Sequence, residues 1–75
     1  MNDKNENTID ARGLSCPQPV ILTRRKIKEI DEGEFTVLVD NEIAKNNVIR
    51  AAAKRGWNVS NTIVDGSDFL ITFKK

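Results

Sequence analysis

The chain has 75 residues, of which 39% are hydrophobic and 31% are charged, and its formal net charge is +1. A domain of this size buries only about 60% of the surface that its unfolded chain exposes, so we expect any chemistry on a surface loop or at the end of an element. The near-neutral charge does not favour nucleic acid, membranes or strongly acidic substrates as ligands.

The first seven residues are polar, and no apolar run in the sequence approaches the ~20 residues that span a bilayer. A secretory signal needs an apolar segment near the N-terminus, so the default expectation is a cytoplasmic protein without a membrane partner. We expect residues 1–7 to be a disordered lead-in and residues 8–75 to form a single domain.

The chain contains one cysteine, Cys16, and no histidine. A single cysteine excludes an intramolecular disulfide, a CxxC redox pair and a cysteine-cluster zinc site. The absence of histidine removes the commonest general base and the commonest metal ligand. We therefore expect no cofactor and no metal, and any chemistry has to use the Cys16 thiol together with groups from a partner.

The first third of the chain reads as a strand, a loop and a helix. Residues 8–11 are a short strand candidate, and residues 12–15 are a loop that contains a glycine. Pro17 and Pro19 mark a helix start, because proline is tolerated where the amide has no partner inside the helix. The helix is expected to end before Gly33, which suits a left-handed stop.

The remainder predicts strand, helix, strand and strand. In residues 34–40, Phe35, Val37 and Val39 alternate with Thr36 and Leu38, as in a strand with one buried face. Asp40 or Asn41 is expected to cap the second helix, which ends at Gly56. Two strands, 57–64 and one containing Phe69, Ile71 and Phe73, flank turn residues 65–68. The order β-α-β-α-β-β predicts an α/β (α+β) two-layer sandwich, with a four-stranded mixed sheet and two helices on one face.

Cys16 falls at the start of the first predicted helix. A helix N-terminus favours an anion, and the thiolate is the reactive form of cysteine. Pro17 and Pro19 each lack an amide donor, which leaves Gln18 as the obvious donor in that turn. The effect is therefore modest, about 0.3–1 kcal/mol. Arg12 adds a positive charge if its side chain folds back, so we expect a mildly activated thiol.

A lone cysteine has a plainer interpretation, since free cysteine is often a small buried hydrophobic residue. Its position after a glycine-containing loop and beside two prolines favours the functional interpretation instead.

The segment from Gly13 to Pro19, with Asp10 and Arg12 ahead of it, resembles the D-x-R-G-L-x-C-P-x-P signature of the TusA/SirA/YedF family. Residues 39–44, 47–48 and 55–57 resemble the YedF-like branch more than TusA itself. This resemblance implies a sulfur carrier in which Cys16 holds a sulfane sulfur as a persulfide and passes it on. The branch is associated with selenium metabolism and often carries a following DsrE-like domain, so the chain is expected to be a single-domain member or an excised piece.

The resemblance also implies protein partners, namely a cysteine desulfurase-type donor, a thiol-bearing acceptor and a DsrE-like protein. As an enzyme, the chain would be a sulfurtransferase-like carrier that turns over only with its donor and acceptor. Arg12, Gly13, Pro17, Gln18 and Pro19 are expected to support Cys16, and Asp10 to brace the loop.

Basic residues stand out on the first helix, where Arg24, Arg25 and Lys28 form either a solvated face or a docking patch for an acidic partner. Arg50, Lys54 and Arg55 on the second helix are interpreted as a solvated face.

Two other functions remain open. One is a nucleic-acid or regulatory protein-binding module without thiol chemistry, against which stand the small net charge and the scarcity of aromatic residues for base stacking. The other is a redox-sensing thiol that dimerises through Cys16.

Overall fold

The structure is a computed structural model that describes residues 8–14 and 18–75. The predicted lead-in 1–7 and the predicted site residues Cys16 and Pro17 lie outside the described residues. The described elements follow one another in the predicted order, which confirms the fold class. They are β1 (Thr8–Asp10), α1 (Gln18–Ile30), β2 (Glu34–Val39), α2 (Glu42–Ala53), β3 (Asn58–Asp65) and β4 (Asp68–Lys74).

The four strands form one mixed sheet in the order β1-β2-β4-β3. β1 runs parallel to β2, whereas β4 is antiparallel to both β2 and β3. β4 therefore returns through the hairpin to occupy the interior of the sheet and leaves β3 at its edge. All eight residues of β3 are exposed, in keeping with this edge position.

The core lies between one face of the sheet and the two helices. The alternation predicted for β2 is confirmed, with Phe35 opposite Phe73 and Val37 opposite Ile71 on the buried face. Both helices contribute to the same core and so pack on the same face of the sheet. The buried helix residues are Pro19, Thr23 and Ile27 of α1 and Ala44, Val48 and Ala52 of α2.

The end of α1 differs from the prediction. The helix ends at Ile30, and Asp31, rather than Gly33, is the first residue to adopt a left-handed conformation (φ 63°). Aspartate enters this region more readily than most residues because its short polar side chain forms local hydrogen bonds. Gly33 also has a positive φ of 126°, and its backbone N–H and C=O pair with Lys75. Gly33 thus belongs to the entry into the sheet.

Asn41, one of the two predicted caps, caps α2. Its backbone is extended, and its Oδ1 accepts a hydrogen bond from the Ala44 amide at 2.8 Å. At the other end of α2, the Trp57 amide donates to the carbonyl of Ala52 at 3.0 Å. Trp57 therefore precedes β3, which begins at Asn58 and not at Trp57 as predicted.

Candidate functional site

Residues 11–14 form the loop that carries the chain from β1 towards α1, and we call it the entry loop. The Ala11 amide donates to the Leu38 carbonyl at 2.8 Å, and Ala11 itself is buried. Gly13 has φ 76°, a conformation that favours glycine, and its amide donates to Oδ2 of Asp40 at 2.9 Å. Because β1 and β2 are parallel, both end at the same edge of the sheet, and this is where the entry loop is held.

Arg12 ties the entry loop to two strands. Its Nε and Nη2 donate to the two carboxylate oxygens of Asp10, each at 2.9 Å, in a bidentate pair. Its Nη1 donates to Oδ2 of Asp68, at the start of β4, at 3.1 Å. These hydrogen bonds from Arg12 lower the pKa of Asp10 to about 2, and the two carboxylates raise the pKa of Arg12.

The contacts of Arg12 bear on its expected role. The sequence predicts that the positive charge of Arg12 acts on Cys16 if the side chain folds back. In the structure, all three donor positions of the guanidinium are directed at carboxylates, so the charge of Arg12 is compensated by Asp10 and Asp68. Its described contacts brace the loop.

α1 begins at Gln18, which is exposed, and Pro19, which is buried. The Thr23 hydroxyl donates to the carbonyl of Pro19 at 2.9 Å within the buried side of the helix. The first turn of α1 contains no acidic residue, whereas α2 has the Asn41 cap and Glu42 in its first turn. The positive end of the α1 dipole is thus free of a carboxylate from its own first turn and would favour an anion placed there.

A small apolar depression lies between the entry loop and the starts of both helices. Its volume is about 40 Å³, enough for one water-sized group. Leu14 and Ile43 are exposed at 39% and 72% respectively, so an apolar rim faces solvent here. The lining residues are Leu14, Pro19, Val20, Asn41, Ile43, Ala44 and Asn47.

The structure thus brings together Asp10, at the end of β1, with Arg12 and Gly13 of the entry loop, and sets Gln18 and Pro19 where α1 begins. Arg24, Arg25 and Lys28 lie on the exposed side of α1. Two residues that hold the entry loop, Asp40 and Asp68, are not among the predicted site residues. The sequence predicts Asp40 only as a helix cap and Asp68 only as a turn residue.

Comparison with known proteins assigns the family. The family model described as Sulfurtransferase TusA matches residues 7–75. The chain belongs to the TusA family. The crystal structure of a SirA-like protein from Desulfitobacterium hafniense is similar, with 36% identity, a TM-score of 0.80, and coverage of 89% of this chain and 93% of that one.

Relatives of this TusA-family chain include candidate sulfur carrier proteins. One from Methanocaldococcus jannaschii is 35% identical over 68 residues, covering 89% of this chain and 91% of that protein. Another, YrkI of Bacillus subtilis, is 27% identical over 67 residues and covers 89% of each chain. A third, from Aquifex aeolicus, is 31% identical over 58 residues, 77% of this chain, but that match spans only 29% of the Aquifex protein.

Membership of the TusA family and the SirA-like fold confirm the resemblance found in the sequence, while placement in the YedF-like branch stays a prediction. Neither α1 nor α2, the helices of the described residues, is long and apolar enough to cross a membrane. Within residues 8–14 and 18–75, no three acidic side chains are grouped so that they could share a metal ion.

Proposed function

We propose that this chain is a sulfur carrier, in which Cys16 takes up a sulfane sulfur as a persulfide and delivers it to a partner protein. Membership of the TusA family and the sulfur-carrier names of its relatives support this proposal. The structural observation that carries it is the braced entry loop, since Asp10, Arg12 and Gly13 of the sequence signature all take part in holding it. These hydrogen bonds fix the position from which the chain continues into segment 15–17, which contains Cys16.

The proposed uptake step is a thiol exchange. The Cys16 thiolate attacks the terminal sulfur of a donor persulfide, an S–S bond forms to Cys16, and the donor S–S bond breaks. The donor leaves as a thiolate, so the exchange involves no net oxidation. In delivery, an acceptor thiolate attacks the terminal sulfur held on Cys16, and the Cys16 thiolate is released.

The sequence explains why a partner is needed for delivery. Cys16 is the one cysteine among the 75 residues, so a persulfide on it has no resolving thiol in the same chain. The absence of histidine leaves no imidazole to act as a base. We therefore assign turnover to the donor and acceptor proteins, with a cysteine desulfurase-type enzyme as the donor and a thiol protein, such as a DsrE-like one, as the acceptor.

The described residues on either side of segment 15–17 are suited to such an exchange. Leu14 and Gln18 are both exposed, so a partner has access to the residues that flank this segment. The first turn of α1 has no carboxylate to compete with a thiolate for the helix dipole. The apolar rim at Leu14 and Ile43 offers a partner a contact beside it.

Intact-mass spectrometry tests the proposal directly. The protein is incubated with a cysteine desulfurase and cysteine, and we expect a species heavier by about 32 Da, one sulfur atom added as a persulfide. The Cys16→Ser variant should not gain this mass, and dithiothreitol should remove it. A parallel incubation with a selenium donor shows whether selenium is also a cargo. If several sulfur donors all leave the mass unchanged, the carrier proposal is wrong.

A further inference from the structure

The exposed sides of α1 and α2 form an open groove whose walls are basic. Two adjoining depressions make up this groove, one of about 480 Å³ and one of about 320 Å³, and both are lined by Arg24 and Arg55. We call it the basic groove. Its six basic residues are Arg24, Arg25 and Lys28 from α1 and Arg50, Lys54 and Arg55 from α2 and the residues that follow it.

These six cations have no acidic partner among the described residues. In residues 8–14 and 18–75, the ion pairs involve Arg12 with Asp10 and Asp68, and Lys26 with Glu29. In the groove, the Arg50 guanidinium donates to the neutral Oδ1 of Asn47 at 2.9 Å. The chain as a whole carries eleven acidic residues against twelve basic ones, so its net charge is small. The positive charge of the groove therefore comes from where the fold places the basic residues.

The groove cations include two pairs of like charges at helical spacing. Arg24 and Lys28 are four residues apart on α1, and Arg50, in the last turn of α2, is four residues from the C-cap Lys54. Like charges at this spacing repel each other, although the helix dipole favours cations in the last turns, where Lys28 and Arg50 lie. A bound negative charge would relieve the repulsion within each pair.

The groove also connects with the candidate site. Val20 and Asn47 line both the groove and the apolar depression beside Leu14, so the two form one continuous surface. Ile21 and Ala51 add apolar area to the groove, and Ile21 is 42% exposed. A ligand that fills this surface would thus combine carboxylates with at least one apolar side chain.

We propose that the basic groove docks an acidic segment of the protein that exchanges sulfur with Cys16, a segment in which an apolar residue is flanked by carboxylates. This inference rests on the proposed function for the identity of the partner and on charge complementarity for its chemistry. Charged residues on such a surface steer the partner and set its orientation. Sulfur exchange requires a short-lived complex in a fixed orientation, which this kind of contact provides.

A protein partner fits the groove better than a nucleic acid. Sequence-tolerant binding of single strands uses exposed aromatic side chains on which bases stack. All four aromatic residues of the chain are among the described residues, and none lines the groove. Phe35, Trp57 and Phe73 are buried, and Phe69 is half-buried.

A binding experiment with a defined probe tests the groove. The probe is a fluorescent peptide of about 15 residues in which leucines are flanked by glutamates, with a glutamine-substituted peptide as its control. We expect Arg24→Glu and Arg50→Glu each to weaken binding at least about fivefold. Lys74→Glu makes the same change in net charge on β4 and should alter affinity by less than about twofold. Raising the salt concentration from about 50 to about 300 mM should weaken wild-type binding.

Any of three results would overturn the docking proposal. The first is equal weakening by Arg50→Glu and Lys74→Glu, and the second is the absence of peptide binding at low salt. The third is tighter binding of a single-stranded RNA of equal charge with the same dependence on Arg24 and Arg50, which would assign the groove to nucleic acid. Loading of the variants from a small donor, cysteine persulfide, separates the two proposals. Groove variants should load normally, whereas failure of every form to load contradicts the carrier function and leaves the groove result standing.

Discussion

The backbone amide of Gly13 donates to Oδ2 of Asp40 at 2.9 Å, across 27 positions of the sequence. The other carboxylate oxygen of Asp40 accepts from the side chain of Asn41 at 3.2 Å, and Asn41 caps α2. One carboxylate therefore connects the entry loop with the start of α2. Leu14 follows Gly13 and Ile43 lies in the first turn of α2, so this carboxylate holds together the two sides of the apolar depression.

Asp40→Ala should release the entry loop. Loss of a single hydrogen bond corresponds to about 1 kcal/mol, so we expect the Gly13 amide to exchange its hydrogen about five- to tenfold faster. Hydrogen exchange followed by NMR measures this rate residue by residue. Asp40→Asn keeps an oxygen acceptor and should retain most of the protection. Unchanged exchange at Gly13 in Asp40→Ala would show that this bond does not hold the loop.

The Arg12–Asp10 pair should make stability depend on acid pH. Arg12 lowers the pKa of Asp10 from 3.8 to about 2, so the folded state favours the charged carboxylate. The stabilisation is fully present above about pH 4 and is lost as the pH falls through about 2. Because Asp10 and Arg12 are both exposed, the effect is modest.

Urea unfolding of wild type and Asp10→Asn at several pH values measures this effect. The variant should be the less stable protein at pH 7, and the difference between the two should shrink between about pH 4 and pH 2. In an Arg12→Gln background, Asp10→Asn should produce a smaller difference with little dependence on pH. If the stability difference between wild type and Asp10→Asn stays constant down to pH 2, the pKa of Asp10 is not lowered by folding as proposed.

The sequence was sufficient to predict the faces of the strands but not their order. Alternation of Phe35, Val37 and Val39 identifies which side is buried, because successive side chains point to opposite faces. It does not tell which neighbour a strand has, so the interior position of β4 could not be predicted from the hairpin. The entry loop shows the same limit. The motif predicted Arg12 and Gly13, but Asp68 lies 56 positions from Arg12, and nothing near it in the sequence indicates that contact.

Trp57 should be the most sensitive single position in the core. It is 2% exposed, and its ring meets Phe35 edge-on with 5.0 Å between centroids. Trp57→Ala should destabilise the fold by about 3–5 kcal/mol, as measured by urea unfolding followed by circular dichroism. The buried indole Nε1 has no acceptor among the described residues. Trp57→Phe removes this donor and keeps an aromatic ring, so it should lower the free energy of unfolding clearly less than Trp57→Ala does. An equal loss in the two variants would contradict the inference that the buried ring, and not the indole N–H, stabilises the core.

Ile43 and Val64 form a matched pair for testing the apolar rim. They are 72% and 63% exposed, Ile43 beside Leu14 and Val64 on the edge strand β3. Because neither lies in the core, each alanine variant should stay within about 0.5 kcal/mol of wild-type stability. If a donor protein contacts the rim, Ile43→Ala should slow desulfurase-dependent loading of Cys16, and Val64→Ala should not.

The loading rate is followed by intact mass over time, with cysteine persulfide as a donor too small to need the rim. Both variants should load from cysteine persulfide at the wild-type rate, since the thiol itself is unchanged. Slower loading of Ile43→Ala from both donors would place the defect at the thiol and not at docking. Equal rates for Ile43→Ala and Val64→Ala with the desulfurase would exclude the rim as a contact, because the two substitutions remove apolar side chains of similar exposure.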